Sequence, residues 1–320
     1  ILAAASPTHS IPATVYHEGW AEKGAIVDPH KVEDIELHLR YQGCEAGPLF
    51  WAHYSFLGLD PRAMEDKYTY YWTQNVSHTM VNRHYCIYEA PEEYKYSESD
   101  WGLTACGGCG KNPEYKSREP FKDDGIIAPT AAISAFPYTP FYSTQVLMNL
   151  IRNYPKLNGT YGLNISYCPS DKSVGTEYLA MEHAPMAIMM ENYRTGLIWK
   201  LLMKNEYVQK GLQLAEIKTT PEYTPGFYLA TVNTATHVYD MMRHPDREKY
   251  EIDFYTKASG NGLLILTNMK NEEIYRTNIE LSAGTNIISF FDNSILRGKK
   301  YTLTVTDGAN QSYSIPVTLR

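Results

Sequence analysis

Glu182-His183-Ala184-Pro185-Met186-Ala187-Ile188-Met189-Met190-Glu191-Asn192-Tyr193-Arg194-Thr195-Gly196, running on to Met203, is the stretch on which the reading of this chain turns. Proline suits the first turn of a helix, where its missing N–H leaves no bond unmade, so Pro185 marks a helix start. No further proline precedes Met203 and Gly196 is the one interior glycine, so the spacing predicts a single helix over 185–203. Its apolar residues cover most of the circumference, which predicts a helix enclosed by other helices. A polar island, Glu191 to Thr195, is set into it. Glu191 and Arg194 stand three apart on one face and can pair. Inside a core such a pair would be kept, because removing one partner costs roughly 3–5 kcal/mol. The pair reads first as structural, with Arg194 retained as a substrate-side candidate.

At 320 residues the chain exceeds most single domains, so two are expected. Lys and Arg number 29 against 36 Asp and Glu, a formal charge of −7 without basic blocks, which argues against a nucleic-acid or membrane-surface partner. Tyrosine outnumbers phenylalanine 27 to 9. A side chain with a flat apolar face and a hydroxyl suits carbohydrate, and it suits ordinary packing too. No apolar run reaches the roughly 20 residues that span a bilayer. Five cysteines (44, 86, 106, 109 and 168) cannot all pair within one chain. Cys106-Gly-Gly-Cys109 has the spacing of half a zinc ribbon, but no second such pair follows and no clustered His completes it. A local disulfide or plain thiols are therefore expected there, with no metal and no cofactor. Ile1 to Ser6 reads as the tail of a signal peptide or the end of a helix that begins elsewhere.

Along the chain, residues 6–30 are broken by proline and glycine and read as loop. The segment 32–41 fits a strand or a short helix equally. Pro48 opens an apolar helix over 49–58, and 66–86 reads as an amphipathic helix with polar residues toward solvent. A long loop spans 98–124. Pro129-Thr130 opens a second apolar helix, 126–135, and Thr139-Pro140 caps and opens an amphipathic one over 139–154. The segment 161–175 is loop. Three apolar helices at 49–58, 126–135 and 185–203, alternating with amphipathic ones, predict paired helices arranged in a ring, an all-α toroid. Residues 1–215 hold too few helices to close it. A second chain or a missing upstream segment is expected to complete the ring. After a connector over 216–249, short alternating strands near 251–257, 262–268, 273–281, 285–291, 300–306 and 312–319 predict a small all-β sandwich over 250–320.

These segments carry motifs that resemble the glucoamylase-like domain family, which includes β-1,2-glucanases of Bacteroidetes. They are Ser-Pro-Thr-His at 6–9, Tyr-His-Glu-Gly-Trp at 16–20, Gly-Pro-Leu-Phe at 47–50, Ala-His-Tyr-Ser-Phe-Leu-Gly-Leu-Asp-Pro-Arg at 52–62, Trp-Gly-Leu-Thr-Ala at 101–105, Ala-Pro-Thr-Ala-Ala at 128–132 and Glu-Asn-Tyr-Arg-Thr-Gly at 191–196. The resemblance covers residues 1 to about 215. It implies an (α/α)6 toroid, which takes twelve helices when complete, a periplasmic or secreted location and a glucan or gluco-oligosaccharide substrate. It also implies a long helical segment ahead of Ile1, where the carboxylates usually held responsible for catalysis lie. Two departures stand out. Ile165 occupies the place of an Asp in the family's Tyr-Gly-Phe-x-Asp-Ala-Phe, and Glu182-His183-Ala184-Pro185 replaces Asp-Gln-Gly-Pro.

Glycoside hydrolysis needs two carboxyls, an acid and a base or nucleophile. Loops leading into the apolar helices supply Glu45, Glu98, Asp100 and Glu182. Glu182 and Glu45 are the candidates for chemistry. A carboxyl near a helix N-terminus is also explained by the helix dipole, and Glu98 and Asp100 by solvated loop charge. Trp101 offers a stacking face for sugar, Thr104 and Thr130 hydroxyl partners, and His183, His53 and Arg194 further polar contacts. A catalytically decayed carbohydrate-binding protein is the alternative, made plausible by Ile165. A cleft floored by Glu45, Trp101, Thr104, Thr130, Glu182 and His183 is expected.

Overall fold

The structure, a computed structural model, describes residues 11–12, 14–33, 35–41, 46–110, 114–219, 226–227, 239–241, 250–256, 258–290, 295 and 299–319. The chain divides into two units, 1–220, built mainly of helices, and 221–320, built of sheet. In the first unit two predicted proline starts are realised. Helix α3, Pro129–Ser134, and helix α4, Pro140–Asn153, each carry proline at the opening position. Every residue of α3 is buried, whereas α4 buries Ser143, Val146 and Leu150 and leaves Ile151 outside. Thr139 stands at the cap position of α4 but its hydroxyl accepts from no N–H of the helix. It turns back toward the Ala135 carbonyl instead, at 3.4 Å. The apolar segment after Pro48 is shorter than predicted, with helix α1, Phe50–His53, tightening into a 3₁₀ turn over Tyr54–Leu57.

The segment read as amphipathic and solvent-facing is itself largely enclosed. Helix α2, Tyr71–His84, buries Gln74, Asn75, His78 and Asn82 along with its apolar residues. These polar groups go inside because each finds a partner. Gln74 Oε1 accepts from the His38 and Leu39 N–H groups, and Asn75 Nδ2 donates to Tyr138 Oη. His78 Nε2 lies 3.0 Å from the Gly47 carbonyl. Asn82 grips Leu103 at both ends, donating to its carbonyl at 3.1 Å and accepting from its N–H at 2.9 Å. A buried polar group so paired avoids the desolvation penalty that would otherwise keep it at the surface. The residues before α2 also differ from expectation. Val27–Val32 (β1) pairs antiparallel with Ile35–Leu39 (β2), so part of the predicted loop is an edge strand that carries Pro29.

The stretch 182–203 forms two helices, not one. Helix α5, Ala180–Thr195, begins five residues before Pro185. The missing N–H of Pro185 frees the carbonyl four residues earlier, that of Met181, and Tyr54 Oη donates to it at 3.0 Å. Gly196 then ends α5 in the left-handed region, at φ 67°. Asn192 Oδ1 accepts from the Trp199 N–H at 3.1 Å and so caps the next helix, α6, Leu197–Met203. Neither helix is enclosed. Met189, Asn192 and Trp199 are buried, while Met181, Met190, Tyr193, Leu197 and Leu201 are exposed. Helix α7, Glu206–Leu214, closes this unit's helices.

The long segment between α2 and α3 holds little regular structure yet is largely internal. Arg118, fully buried, organises it by donating to Asp124 at 2.5 Å and to the Cys106 carbonyl at 2.8 Å. Cys109 is disulfide-bonded to Cys168, tying this loop to the one before α5, which opens with the short antiparallel pair β3, Asn158–Gly159, and β4, Gly162–Leu163. Cys106 and Cys86 are free and buried, so the expected local disulfide is a long-range one, and Cys109 holds no thiolate for a metal. Cys44 lies outside the described residues.

In the second unit the predicted strands are β7 Tyr250–Thr256, β8 Gly260–Asn268, β9 Glu273–Leu281, β10 Gly284–Phe290, β11 Lys299–Thr306 and β12 Ser312–Leu319. Two short additions precede them, β5 Gly226–Phe227 and β6 Tyr239–Met241. One sheet runs β6-β12-β11-β8-β9 and the other β10-β7-β5. Alternate residues such as Ile252, Phe254, Leu264, Leu266, Leu303, Val305 and Phe290 meet in one hydrophobic cluster. This is the period-two burial that the alternating sequence predicts.

Candidate active site

Helix α5 presents Glu182 in its first turn against α3, and the side chain is wholly removed from solvent. Around it stand Thr130 of α3, Tyr54 after α1, Cys106, Tyr115 and Arg118 of the long loop, and Glu177 just ahead of α5. The Tyr115 and Thr130 hydroxyls approach the carboxyl, but neither Glu182 oxygen meets the geometry of a formed hydrogen bond among the described residues. Burial dominates the electrostatics and pushes Glu182 up to about 7; the Glu177 charge adds to this, against the two hydroxyls and Arg118. Burial likewise pushes the Cys106 thiol up to about 12. A carboxyl that stays protonated near neutral pH can give its proton to an ether oxygen.

Of the predicted cleft residues, the structure brings Thr130 to Glu182 and turns Trp101, Thr104 and His183 to different tasks. Glu45 lies outside the described residues. Trp101 is fully buried in the main core, so neither indole face is open to a sugar. Thr104 Oγ1 accepts from the Phe50 N–H at 3.3 Å, at the start of α1. His183 is held by two backbone carbonyls, Leu179 at 2.9 Å and Leu163 at 2.7 Å. His53 Nδ1 lies 2.7 Å from Ser134 Oγ, whose own proton goes to the Ala131 carbonyl, so His53 donates there as the Nδ1–H tautomer. Arg194 forms the predicted pair with Glu191, bidentate at 2.9 and 3.0 Å, but at the surface. Asp100 accepts from Ser97, Asn149, Tyr154 and Tyr167 and serves as a packed structural carboxylate, while Glu98 is exposed.

Tyr115, Arg118 and Glu177 escaped the sequence reading. Tyr115 and Arg118 lie in a loop without periodicity, and Glu177 five residues before Glu182 looks like any loop charge. For Tyr115 and Arg118 the one signal is the length of the loop that holds them, since loops this long in a compact domain are often functional; Glu177 had none.

Residues 1–206 match the family model described as "Putative glucoamylase". An exo beta-1,2-glucooligosaccharide sophorohydrolase (non-reducing end) of Parabacteroides distasonis is 36% identical over 231 residues, covering 67% of this chain and 32% of that protein. Among solved structures, an endo-beta-1,2-glucanase from Chitinophaga pinensis, in complex with sophorotriose and glucose, is similar at TM-score 0.63 and 43% identity, over 68% of this chain and 52% of that one. A putative glucoamylase from Bacteroides caccae gives TM-score 0.64 at 50% identity, over 68% and 53%. The chain thus spans about a third of the curated relative and about half of these solved chains.

Proposed function

Because this chain belongs to the glucoamylase family so described, we propose that it is a glycoside hydrolase of β-1,2-linked glucan or gluco-oligosaccharide, with Glu182 as its general acid. One observation carries the substrate. The two named hydrolases differ in mode, one exo and one endo, yet share the beta-1,2 linkage. In this reading Glu182, held protonated by burial, gives its proton to the leaving glycosidic oxygen, while a second carboxylate activates water or attacks the anomeric carbon.

The helices of residues 1–215 form part of an (α/α)6 toroid in this reading, and the two sheets over 250–320 a β-sandwich. The exposed apolar side chains of α5 and α6 support an incomplete ring, since large apolar patches are rarely left uncovered. A further helical segment or a second chain covers them. The Cys109–Cys168 disulfide supports a periplasmic or secreted location, where disulfides persist.

A second reading, sugar binding without cleavage, draws on Ile165, which is fully buried and apolar where the family has an acid. The test incubates the protein with β-1,2-, β-1,3- and β-1,4-linked gluco-oligosaccharides and follows the products. Cleavage of the β-1,2 series alone is expected. Binding of that series without cleavage would replace the hydrolase by the binding protein, and cleavage of another linkage would overturn the substrate.

A further inference from the structure

Trp51 stands on the outer face of α1 and the turn that follows it, with Tyr54 and Ser55, while Phe50, Ala52 and His53 point inward. It is 55% exposed and yet firmly held. Its ring lies against Gly47, where a built Cβ would stand 2.7 Å from Trp51 Cε3 and 2.9 Å from Cζ3, and Gly47 sits in the left-handed region at φ 67°. Space and backbone alike call for glycine there. Beside it the Tyr41 ring is stacked on the indole, with 6.3 Å between centres and 27° between planes. One buried side chain, His78, fixes both supports. Its Nε2 lies 3.0 Å from the Gly47 carbonyl, which can only accept, so that nitrogen carries the proton; Nδ1, 2.8 Å from Tyr41 Oη, accepts from the hydroxyl. Gln74 Nε2 donates to the same hydroxyl at 3.2 Å. An exposed ring so held has little freedom left to lose when a ligand lies on it.

The same face leads to Glu182. Tyr54 follows Trp51 by three residues, which sets their Cβ atoms about 5–6 Å apart. Its hydroxyl donates at 3.0 Å to the carbonyl of Met181, the residue directly before Glu182 in the first turn of α5. We propose that Trp51 is a stacking platform for one glucose unit of the bound β-1,2-gluco-oligosaccharide, flanking the Glu182 site. The inference rests on the substrate proposed above. An indole offers a flat apolar face to the apolar face of a pyranose, and Tyr54 Oη, having donated to Met181, can still accept from a sugar hydroxyl, as can Ser55 Oγ. None of these three side chains is charged, which suits a neutral sugar.

The experiment measures binding of a β-1,2-linked gluco-oligosaccharide by titration calorimetry to the full-length Glu182→Gln protein, which leaves the sugar uncut, with and without Trp51→Ala. The alanine variant should bind about tenfold more weakly, as truncation of a tryptophan anchor does. Trp51→Phe keeps a smaller ring on the same supports; it should lose less affinity and should remove the change in tryptophan emission that the sugar causes when Trp51 is present. Unchanged affinity in a folded Trp51→Ala protein, or an emission change that survives in Trp51→Phe, overturns the proposal. Binding is read without turnover, so the two readings fail separately. A parent that binds through Trp51 but does not cleave refutes the hydrolase alone, and a parent that cleaves but whose affinity ignores Trp51 refutes the platform alone.

Discussion

Glu182 is a buried carboxyl with no formed hydrogen bond among the described residues, and its proton is the cheapest way to keep it there. The consequence for stability has a definite sign. With Glu182 raised from 4.5 to about 7, the folded chain binds this proton more tightly than the unfolded one. The advantage is complete below 4.5 and is lost as pH rises through 7. Glu182→Gln is neutral throughout, so relative to it the parent should lose up to about 1.4 kcal/mol per pH unit across that window. Denaturant unfolding of both proteins checks this; parallel stability curves would show that Glu182 is already ionised in the fold. That Glu182 and Thr130 come together was legible in the sequence, because both stand at helix starts. Trp101, Thr104 and His183 occupy equally suggestive places, but what each touches is decided by loops that carry no periodic signal.

At the scale of elements, α2 shows where pattern reading fails. Its polar residues alternate with apolar ones as on a surface helix, and the sequence does not reveal that Leu103, Gly47 and the strand β2 will offer backbone partners. Asn82 is the clearest case. Asn82→Ala leaves the buried Leu103 N–H without its acceptor, and should destabilise the protein by about 1–3 kcal/mol. Urea unfolding measures it, and a change of a few tenths would mean that water replaces the side chain. The proline rule held for α3 and α4 and misplaced α5, because Tyr54 compensates the carbonyl that Pro185 leaves free. That compensation comes from a residue 127 positions away, beyond any local rule. The Cys109–Cys168 link was equally out of reach, since spacing does not give connectivity.

For the whole molecule, strands β7 to β12 were the most legible part, because alternation alone fixes which face is buried, and each of these six begins and ends within about two residues of the reading, whereas β5 and β6 fall in the stretch read as a connector. The first unit was legible as helical but not in which helices are enclosed. Its buried titratable groups give one global signature. Burial pushes His53 down to about 3 and His78 to about 4, so both are held neutral, and the stability they contribute is present above 6.5 and lost as pH falls. Glu182 acts in the opposite direction up to about 7. Two groups outweigh one below 6.5, so together they place a stability maximum near pH 6.5. Urea midpoints taken from about pH 4 to about pH 8 should show that maximum, and a monotonic rise would remove the Glu182 contribution.

The central claim is that Glu182 delivers the proton that breaks a β-1,2-glucosidic bond. The most direct measurement compares turnover of a β-1,2-gluco-oligosaccharide by the full-length protein and its Glu182→Gln variant. Loss of a general acid predicts a fall of about 10²–10⁴-fold in kcat. A variant that keeps activity within a few-fold of the parent would contradict the account and leave Glu182 as a buried carboxyl at a helix start.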